Sequence, residues 1–419
     1  MTDQRSANYV VISTDGHCGA DLLDYKPYLE SKYHDDFDSW AGTYHDPWAD
    51  FDLEHEANNR MGMASFAATV NWDSDARLRL TEGQGISAEI LFPNTAPPFI
   101  PSGSISAPGP RSAQEYEYRF AGIKAHNRWL ADFCNEAPGR RVGLAQVFLN
   151  DVDQAIAEVR AARDMGLMGV HLPGDHILKL ANLYYPELDP FWKVCEELCL
   201  PVHRHTLTPS ESVSEGGPAA PWVGLIEVEF YGTRAISHML CSGVFERYPN
   251  LRFVSTELMN SAAIPAYLEK LDRMYDAAVS GRSIDARLDE AIACMSRRPS
   301  EYFATNCFVG GPLDIRAGYA SGTPNMMFGA DIPHSEGTAP FTTKALRYAV
   351  SDLPEAEVRK FTGLTAARVY GLDYDLLQKV ADRVGPSVDE LATPLTTEEF
   401  PNFPVETRYR MFDLTAASK

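Results

Sequence analysis

The sequence predicts an α/β protein with the architecture of a (β/α)8 barrel. Short apolar runs of strand length alternate with stretches of helical apolar spacing along most of the chain. We count eight such runs, the number that a closed parallel barrel of this kind requires. The first and the last run also end alike, each with a carboxylate followed by a histidine. First and last strands of a closed barrel are neighbours, so we expect these two ends to meet.

The first predicted strand, 9–14, leads into the tripeptide Asp15-Gly16-His17. Side chains two residues apart in an extended segment point to the same side, so Asp15 and His17 can act together. A carboxylate and an imidazole just past a strand end can serve as two ligands of one metal ion. The long acidic and aromatic stretch 21–75 that follows has no clean period, and we interpret it as an ordered insertion over the site.

Strands and helices alternate regularly after this insertion. Asp151 is placed to cap the helix that it opens. We assign residues 1–384 to the barrel and residues 385–419, which are richer in Pro and Thr, to a C-terminal tail. The predicted strands after the first are 89–93, 142–148, 169–173, 201–206, 251–258, 302–309 and 325–331, and the predicted helices are 76–83, 113–136, one from 151, 190–199, 233–245, 264–275, 343–350 and 355–370.

The eighth predicted strand ends in Asp331, and His334 follows after a proline. In parallel α/β folds, ligands bind beyond the carboxyl ends of the strands, which is where both side chains are expected. A cap of the following turn is the simpler role for an aspartate before a proline. The matching end of the first strand favours a site instead.

Two more strands supply candidates at the same end of the barrel, His205 from the fifth and Glu257 from the sixth. His203 shares a face with His205 and is expected one layer deeper, where it would support the ligand. For His171 in the fourth strand we favour a hydrogen-bonded core role. The predicted ligands, which offer only oxygen and nitrogen and therefore suit zinc, with manganese or iron as alternatives, are Asp15, His17, His205 and Asp331.

Composition restricts the class of partner. The net charge of −21 argues against nucleic acids and anionic membrane surfaces, which attract basic patches. An anionic small molecule is still compatible, because a metal ion or local arginines reverse the field inside a pocket; Arg77 and Arg204 are the candidates for binding a substrate carboxylate. The amino terminus lacks the pattern of a signal peptide, and the seven cysteines have no metal-site spacing. We therefore expect a cytoplasmic protein with reduced thiols that acts on a small molecule as a homo-oligomer, a dimer.

Five motifs give the chain a resemblance to a known family. It resembles the amidohydrolase-related family, in the branch near aminocarboxymuconate semialdehyde decarboxylase, over nearly its whole length. The motifs are STDGH at 13–17, ILFPN at 90–94, GVFERYPNLRFVSTE at 243–257, MMFGADIPHSEGT at 326–338 and AARVYGLD at 366–373.

The resemblance implies a TIM barrel with a divalent metal at its carboxyl-terminal mouth. It also implies hydrolase or carboxy-lyase chemistry on small carboxylated or cyclic substrates. Glu257 stands where decarboxylase relatives place a catalytic histidine, so it becomes a candidate proton shuttle or a ligand of a second ion. His334 would orient Asp331 or contact the substrate. GVHLP at 169–173 lacks the lysine that dinuclear hydrolases carry there.

Three functions follow from this interpretation. The first is a metal-dependent hydrolase or non-oxidative decarboxylase. The second is an oxygenase or oxidase with two metal ions in the same barrel. The third is a catalytically silent, metal-binding subunit of such an enzyme. Metal content discriminates among them: one zinc favours the first, two ions including iron the second, and no exchangeable metal the third.

Overall fold

The fold is a barrel of eight parallel strands surrounded by helices. A computed structural model gives the strand order β1 to β8, with each strand parallel to the next in sequence. The residues that it describes are 7–45, 69–101, 110–172, 182–205, 219–258, 260–283, 285–312, 315–334 and 337–400. The strands are β1 Ile12–Cys18, β2 Ala88–Pro93, β3 Arg141–Gln146, β4 Gly169–His171, β5 Val202–His205, β6 Phe253–Thr256, β7 Cys307–Gly310 and β8 Met326–Met327.

The ends of β1 and β8 close the barrel. Gly16 and Ile332 form a parallel bridge between the first strand and the segment after the last one. The amide of Asp331 donates to the carbonyl of Asp15 at 2.7 Å, and the amide of His17 donates to the carbonyl of Ile332 at 2.7 Å. The predicted meeting of the two strand ends is therefore confirmed.

Helices follow the strands, and side chains cap several of them. Asp151 accepts a hydrogen bond from the amide of Gln154, as its position before a helix predicts. The helices are α1 His34–Ala41, α2 Ser74–Gly83, α3 Ala113–Asn135, α4 Val152–Asp164, α5 Asp189–Glu197, α6 Ala220–Cys241, α7 Val244–Arg247, α8 Ile264–Val279, α9 Ala286–Ile292, α10 Pro299–Asn306, α11 Ile315–Ser321, α12 Thr342–Val350, α13 Glu355–Arg359, α14 Thr365–Tyr370, α15 Tyr374–Val384 and α16 Val388–Leu391.

The core has two main layers. One cluster of buried side chains fills the space between strands and helices, and a second joins alternate strand residues such as Ile12, Ile90 and Val254 to α14. Tyr370 of α14 stacks on His203 with ring centroids 5.5 Å apart. The helix α14 thus packs beneath the barrel residues that lie one layer below the strand ends.

Several predicted boundaries are wrong. The segment 302–309 is not one strand, because Pro299 and a capping box with Glu301 begin the helix α10, and only its end continues into β7. The helix predicted at 233–245 begins 13 residues earlier, at Ala220, and breaks before α7. The strand β1 extends through Asp15 and His17, which are predicted just past the end of the first strand.

The insertion and the tail lie partly outside the described residues, at 46–68 and 401–419. In the described part of the insertion, Tyr25 lies in a short 3-10 helix and contacts His126 of α3 at 2.8 Å. The described part of the tail pairs with the start of the chain, where the amide of Tyr9 donates to the carbonyl of Pro386. No helix among the described residues is both long and apolar enough to cross a bilayer. The domain boundary at residue 384 stays a prediction.

Candidate metal centre

Asp15 and His17 form the first part of the site, on β1. Nε2 of His17 lies 3.2 Å from Oδ1 of Asp15 and 3.1 Å from Oδ1 of Asp331. All three side chains are buried. The pairing of the β1 and β8 ends brings these groups together, because their backbones are hydrogen-bonded to each other.

Asp331 and His334 extend the site from the end of β8. Asp331 has a φ of +54°, the left-handed region that non-glycine residues rarely adopt. Its Oδ1 lies 2.8 Å from Nδ1 of His334, and Nε2 of His334 contacts Oδ1 of Asn94 at 3.0 Å. His334 therefore bridges a β8 carboxylate to the loop after β2, with its own side chain 15% exposed.

His205 and Glu257 complete the ring of polar groups. Nε2 of His205 lies 3.5 Å from Oδ1 of Asp15, and its Nδ1 lies 3.3 Å from Oε2 of Glu257. Glu257 directly follows β6 and, like Asp331, has a positive φ, of +58°. Two carboxylates of the site thus sit in costly backbone conformations, which are common where a protein fixes functional groups.

His203 and His171 lie close to the site without joining the contacts of Asp15. Nδ1 of His203 is 3.5 Å from Oγ1 of Thr256, and its ring stacks on Tyr370. The ring of Phe92 packs edge to face against the rings of His171, His203 and His205. This arrangement supports the expected order, with His205 at the rim and His203 deeper.

Burial and the neighbouring charges set the protonation of the site. Burial raises the pKa of the Asp15 carboxyl, but hydrogen bonds and charges from His17 and His205 outweigh it and hold that pKa well below its usual range. Burial lowers the pKa of His205 to about 4, against the opposing charge of Asp15, and lowers the pKa of His203 to about 3. Asp15 is therefore ionised and both histidines are neutral near pH 7, the states that bind metal ions.

The side chains present suit a divalent cation. Asp15, His17 and His205 each offer one ligand atom within 4.8 Å of the others, and so do His17, Asp331 and His334. Both sets are rich in carboxylate oxygen and imidazole nitrogen. The four predicted ligands are thus brought together, and His334 is added next to them.

Two glycines that are not among the predicted site residues shape the space that holds Asp15. A Cβ on Gly311 would lie 2.7 Å from the Cβ and 2.8 Å from Oδ2 of Asp15. A Cβ on Gly329 would lie 2.7 Å from the Cβ of Asp15. Asp15 therefore packs against bare backbone just after β7 and β8, a contact between distant parts of the chain that no local pattern reveals.

The two arginines suggested for substrate binding are both buried. Arg77 is fully buried and donates to Glu89 and to the carbonyls of His17 and Ile332. Arg204 is buried as well, and strand alternation places it on the face of β5 opposite to His203 and His205. These positions favour roles in the barrel wall over contact with a substrate.

The chain matches the family model described as amidohydrolase over residues 106–372, well over half of its length. The chain belongs to the amidohydrolase family. The predicted family and the predicted enzyme class, which left hydrolase and carboxy-lyase open, are thereby confirmed. Together with the donor set, this membership identifies a divalent metal ion as the cofactor.

Proteins of known activity resemble this amidohydrolase over most of its length. It is 26% identical over 340 residues to a gamma-resorcylate decarboxylase of Rhodococcus jostii, covering 74% of this chain and 94% of that protein. The structure of a 5-carboxyvanillate decarboxylase from Sphingomonas paucimobilis matches with a TM-score of 0.59 at 19% identity, covering 87% of this chain and 100% of that one. The enzyme of the same name from Novosphingobium aromaticivorans, solved with bound manganese, matches with a TM-score of 0.59 at 19% identity, covering 87% and 97%. These likenesses confirm the predicted TIM barrel.

Proposed function

We propose that this amidohydrolase is a non-oxidative decarboxylase that releases CO2 from a small aromatic acid. The observation that carries the proposal is the set of side chains from β1, β5 and β8 that converge at one end of the barrel, with the buried Glu257 next to them. The names of the similar proteins support it, since gamma-resorcylate decarboxylase and 5-carboxyvanillate decarboxylase are both named as decarboxylases of aromatic acids. Hydrolysis is the less favoured alternative, because β4 carries no lysine.

In this proposal each residue of the site has a defined task. Asp15, His17, His205 and Asp331 would hold the divalent ion, which when bound supplies Lewis-acid polarisation of a substrate oxygen. The bond between the ring carbon and the carboxylate breaks, and its electron pair stays on the carbon as CO2 leaves. Glu257 would hold the proton that this carbon takes up, and His334 would keep Asp331 in place. Charge and atoms balance, because the carboxylate leaves as neutral CO2 and one proton takes its place on the ring carbon.

Zinc is our first candidate, and manganese or iron would suit the same oxygen and nitrogen donors. Manganese gains weight from the solved 5-carboxyvanillate decarboxylase that contains it. The dimer and the cytoplasmic location expected from the sequence stay predictions.

Metal analysis combined with a substrate panel tests the proposal. The purified protein should contain one divalent ion per chain and release CO2 from hydroxylated benzoic acids, but leave esters and amides of the same acids intact. Asp331→Ala should lose both metal and CO2 release, since a lost ligand costs more than the ~10–100-fold typical of a lost supporting contact. Full metal occupancy in that variant would contradict the assignment of Asp331. Two ions including iron, with oxygen consumption, would indicate the oxidase, and no exchangeable metal the silent subunit.

A further inference from the structure

The guanidinium of Arg77 binds the backbone of both segments that carry β1 and β8 ligands. Its Nη1 donates to the carbonyl of His17 at 2.7 Å, and its Nη2 donates to the carbonyl of Ile332 at 3.1 Å. Ile332 directly follows Asp331. One rigid, planar group therefore binds the main chain at the predicted ligand His17 and directly after the predicted ligand Asp331.

Arg77 is itself held firmly in α2. Oε1 of Glu89 in β2 accepts from Nε of Arg77 at 3.2 Å and Oε2 accepts from Nη2 at 2.7 Å, a two-pronged pairing of guanidinium and carboxylate. Gly16 of β1 leaves space for the guanidinium, because a Cβ on Gly16 would lie 3.2 Å from Nη2 of Arg77. The glycine between Asp15 and His17 thus leaves space for this contact.

The regular pairing of β8 ends before Asp331, so the closure there depends on separate contacts. The strand β8 spans only Met326–Met327, and Asp331 lies four residues beyond it with a φ of +54°. The carbonyl of Ile332 accepts from the amide of His17 as well as from Arg77. This pair of hydrogen bonds joins the β1 ligand segment to the residue after Asp331.

We propose that Arg77 is a positioning residue of the metal centre, which fixes the spacing of His17 and Asp331 by binding the backbone carbonyls of His17 and of Ile332, the residue after Asp331. The proposal rests on the proposed function only in requiring a metal ion at these side chains. A positive charge is needed at this place to neutralise the buried Glu89. A planar fork is needed as well, because the single ammonium of a lysine lacks the five fixed donors with which Arg77 serves Glu89 and two carbonyls together.

Arg77→Lys is the informative variant, and Arg141→Lys is its control. Both retain a positive charge near Glu89, since Arg141 lies 3.7 Å from Glu89 and is also buried. Arg141 donates to the carbonyls of Ser74 and Phe133, neither of which is in a ligand segment. Any loss that results merely from disturbing this buried charge cluster should therefore appear in both variants.

The measurement is Mn²⁺ affinity by titration calorimetry of chelator-treated protein, together with the absorption spectrum of the Co²⁺-loaded protein and the Tm of the metal-free protein. Arg77→Lys should weaken Mn²⁺ binding by ~10–100-fold and change the Co²⁺ spectrum, the size of effect known for contacts that orient ligands. Arg141→Lys should keep the affinity and the spectrum of the unaltered protein, even where its Tm falls equally. Where Arg77→Lys does not fold, Glu89→Gln replaces it, because it loosens Arg77 and should change affinity and spectrum in the same direction.

Unchanged affinity and spectrum in Arg77→Lys would overturn the proposal, and so would equal losses in Arg77→Lys and Arg141→Lys. Absence of Mn²⁺ and Co²⁺ binding by the unaltered protein would overturn it together with the metal centre. A difference in affinity between the two variants, in a protein that decarboxylates nothing, would uphold the role of Arg77 and contradict only the proposed function.

Discussion

Oε2 of Glu257 lies 3.3 Å from Nδ1 of His205, and both side chains are 1% exposed. The opposite nitrogen of the same ring, Nε2, faces Asp15. A carboxylate on one ring nitrogen directs the other nitrogen toward a metal ion and makes it a better ligand. Glu257 therefore has two possible duties, to orient His205 and to carry the proton of the reaction.

Glu257→Gln separates these duties, because the amide keeps the size and one oxygen but removes the charge and the exchangeable proton. With metal in large excess, turnover should fall ~10²–10⁴-fold, the loss expected of a general acid or base. Metal affinity should fall by ~10–100-fold from the weaker contact with His205, with one ion per chain retained at saturation. CO2 release is followed at increasing Mn²⁺ concentration, with Glu158→Gln as a control in a buried carboxylate that bonds Asn127. Normal turnover at saturating metal would leave Glu257 only the orienting role. A metal stoichiometry lowered by one ion per chain would instead make Glu257 a ligand.

His205 and His203 should respond differently to removal. His205→Ala should abolish metal binding, since its Nε2 faces Asp15 directly. His203→Ala should chiefly lower Tm, because that ring packs on Tyr370 and Phe92, and should weaken metal binding ~10–100-fold at most. Metal content and Tm of both purified variants are the measurements. The reverse order of metal loss would make His203 the ligand.

The regular part of the fold could be predicted because it depends on local patterns. The eight apolar runs and their order were identified, since strands buried on both faces appear as short apolar stretches. The failures lie where local signals conflict. The segment 302–309 is predicted as one strand, but Pro299 and the cap at Glu301 begin a helix there. Such a competition is decided by packing of the whole chain.

The polar groups of the site were also predictable, since they end strands or follow them. Their supports were not. The space around Asp15 depends on Gly311 and Gly329, and the role of Arg77 depends on carbonyls far along the chain. Backbone contacts of this kind carry no signature in a single sequence. Asn94, which contacts His334, lies in the motif ILFPN, the one signal that could have indicated it.

Stability should depend on pH through Glu82, which pairs with Arg140 and with Arg383 of α15. Hydrogen bonds from Arg383, opposed by burial, lower the pKa of Glu82 from 4.5 to about 2. Since the folded-state pKa lies below the unfolded one, this stabilisation is complete above pH 4.5 and is lost as the pH falls toward 2. Glu82→Gln should therefore lower the free energy of unfolding by about 1 kcal/mol at pH 7, a value reduced for the exposure of Arg383, with the difference shrinking below pH 4.5.

Urea unfolding of the metal-free proteins at several pH values between 7 and 3 measures this difference. Glu357→Gln is the control, since Glu357 and Lys360 are 45% and 59% exposed and such a pair contributes little. A difference between Glu82→Gln and the unaltered protein that stays constant down to pH 3 would show that the carboxylate charge of Glu82 does not stabilise the fold.

Gly311→Ala should damage the metal centre although it replaces none of the proposed ligands. The new Cβ would lie 2.7 Å from the Cβ of Asp15 and 2.8 Å from its Oδ2, so the carboxylate has to move away from His17 and His205. Gly281→Ala is the matched control, because Gly281 has a φ of +65°, close to the +52° of Gly311, with nothing within 4 Å of the added carbon. Both substitutions carry the cost of a left-handed alanine, about 1–2 kcal/mol, and Gly311→Ala adds the cost of displacing Asp15. Only Gly311→Ala should weaken Mn²⁺ binding, by at least ~10–100-fold, and equal Mn²⁺ affinities in the two variants would contradict the placement of Asp15 against this glycine.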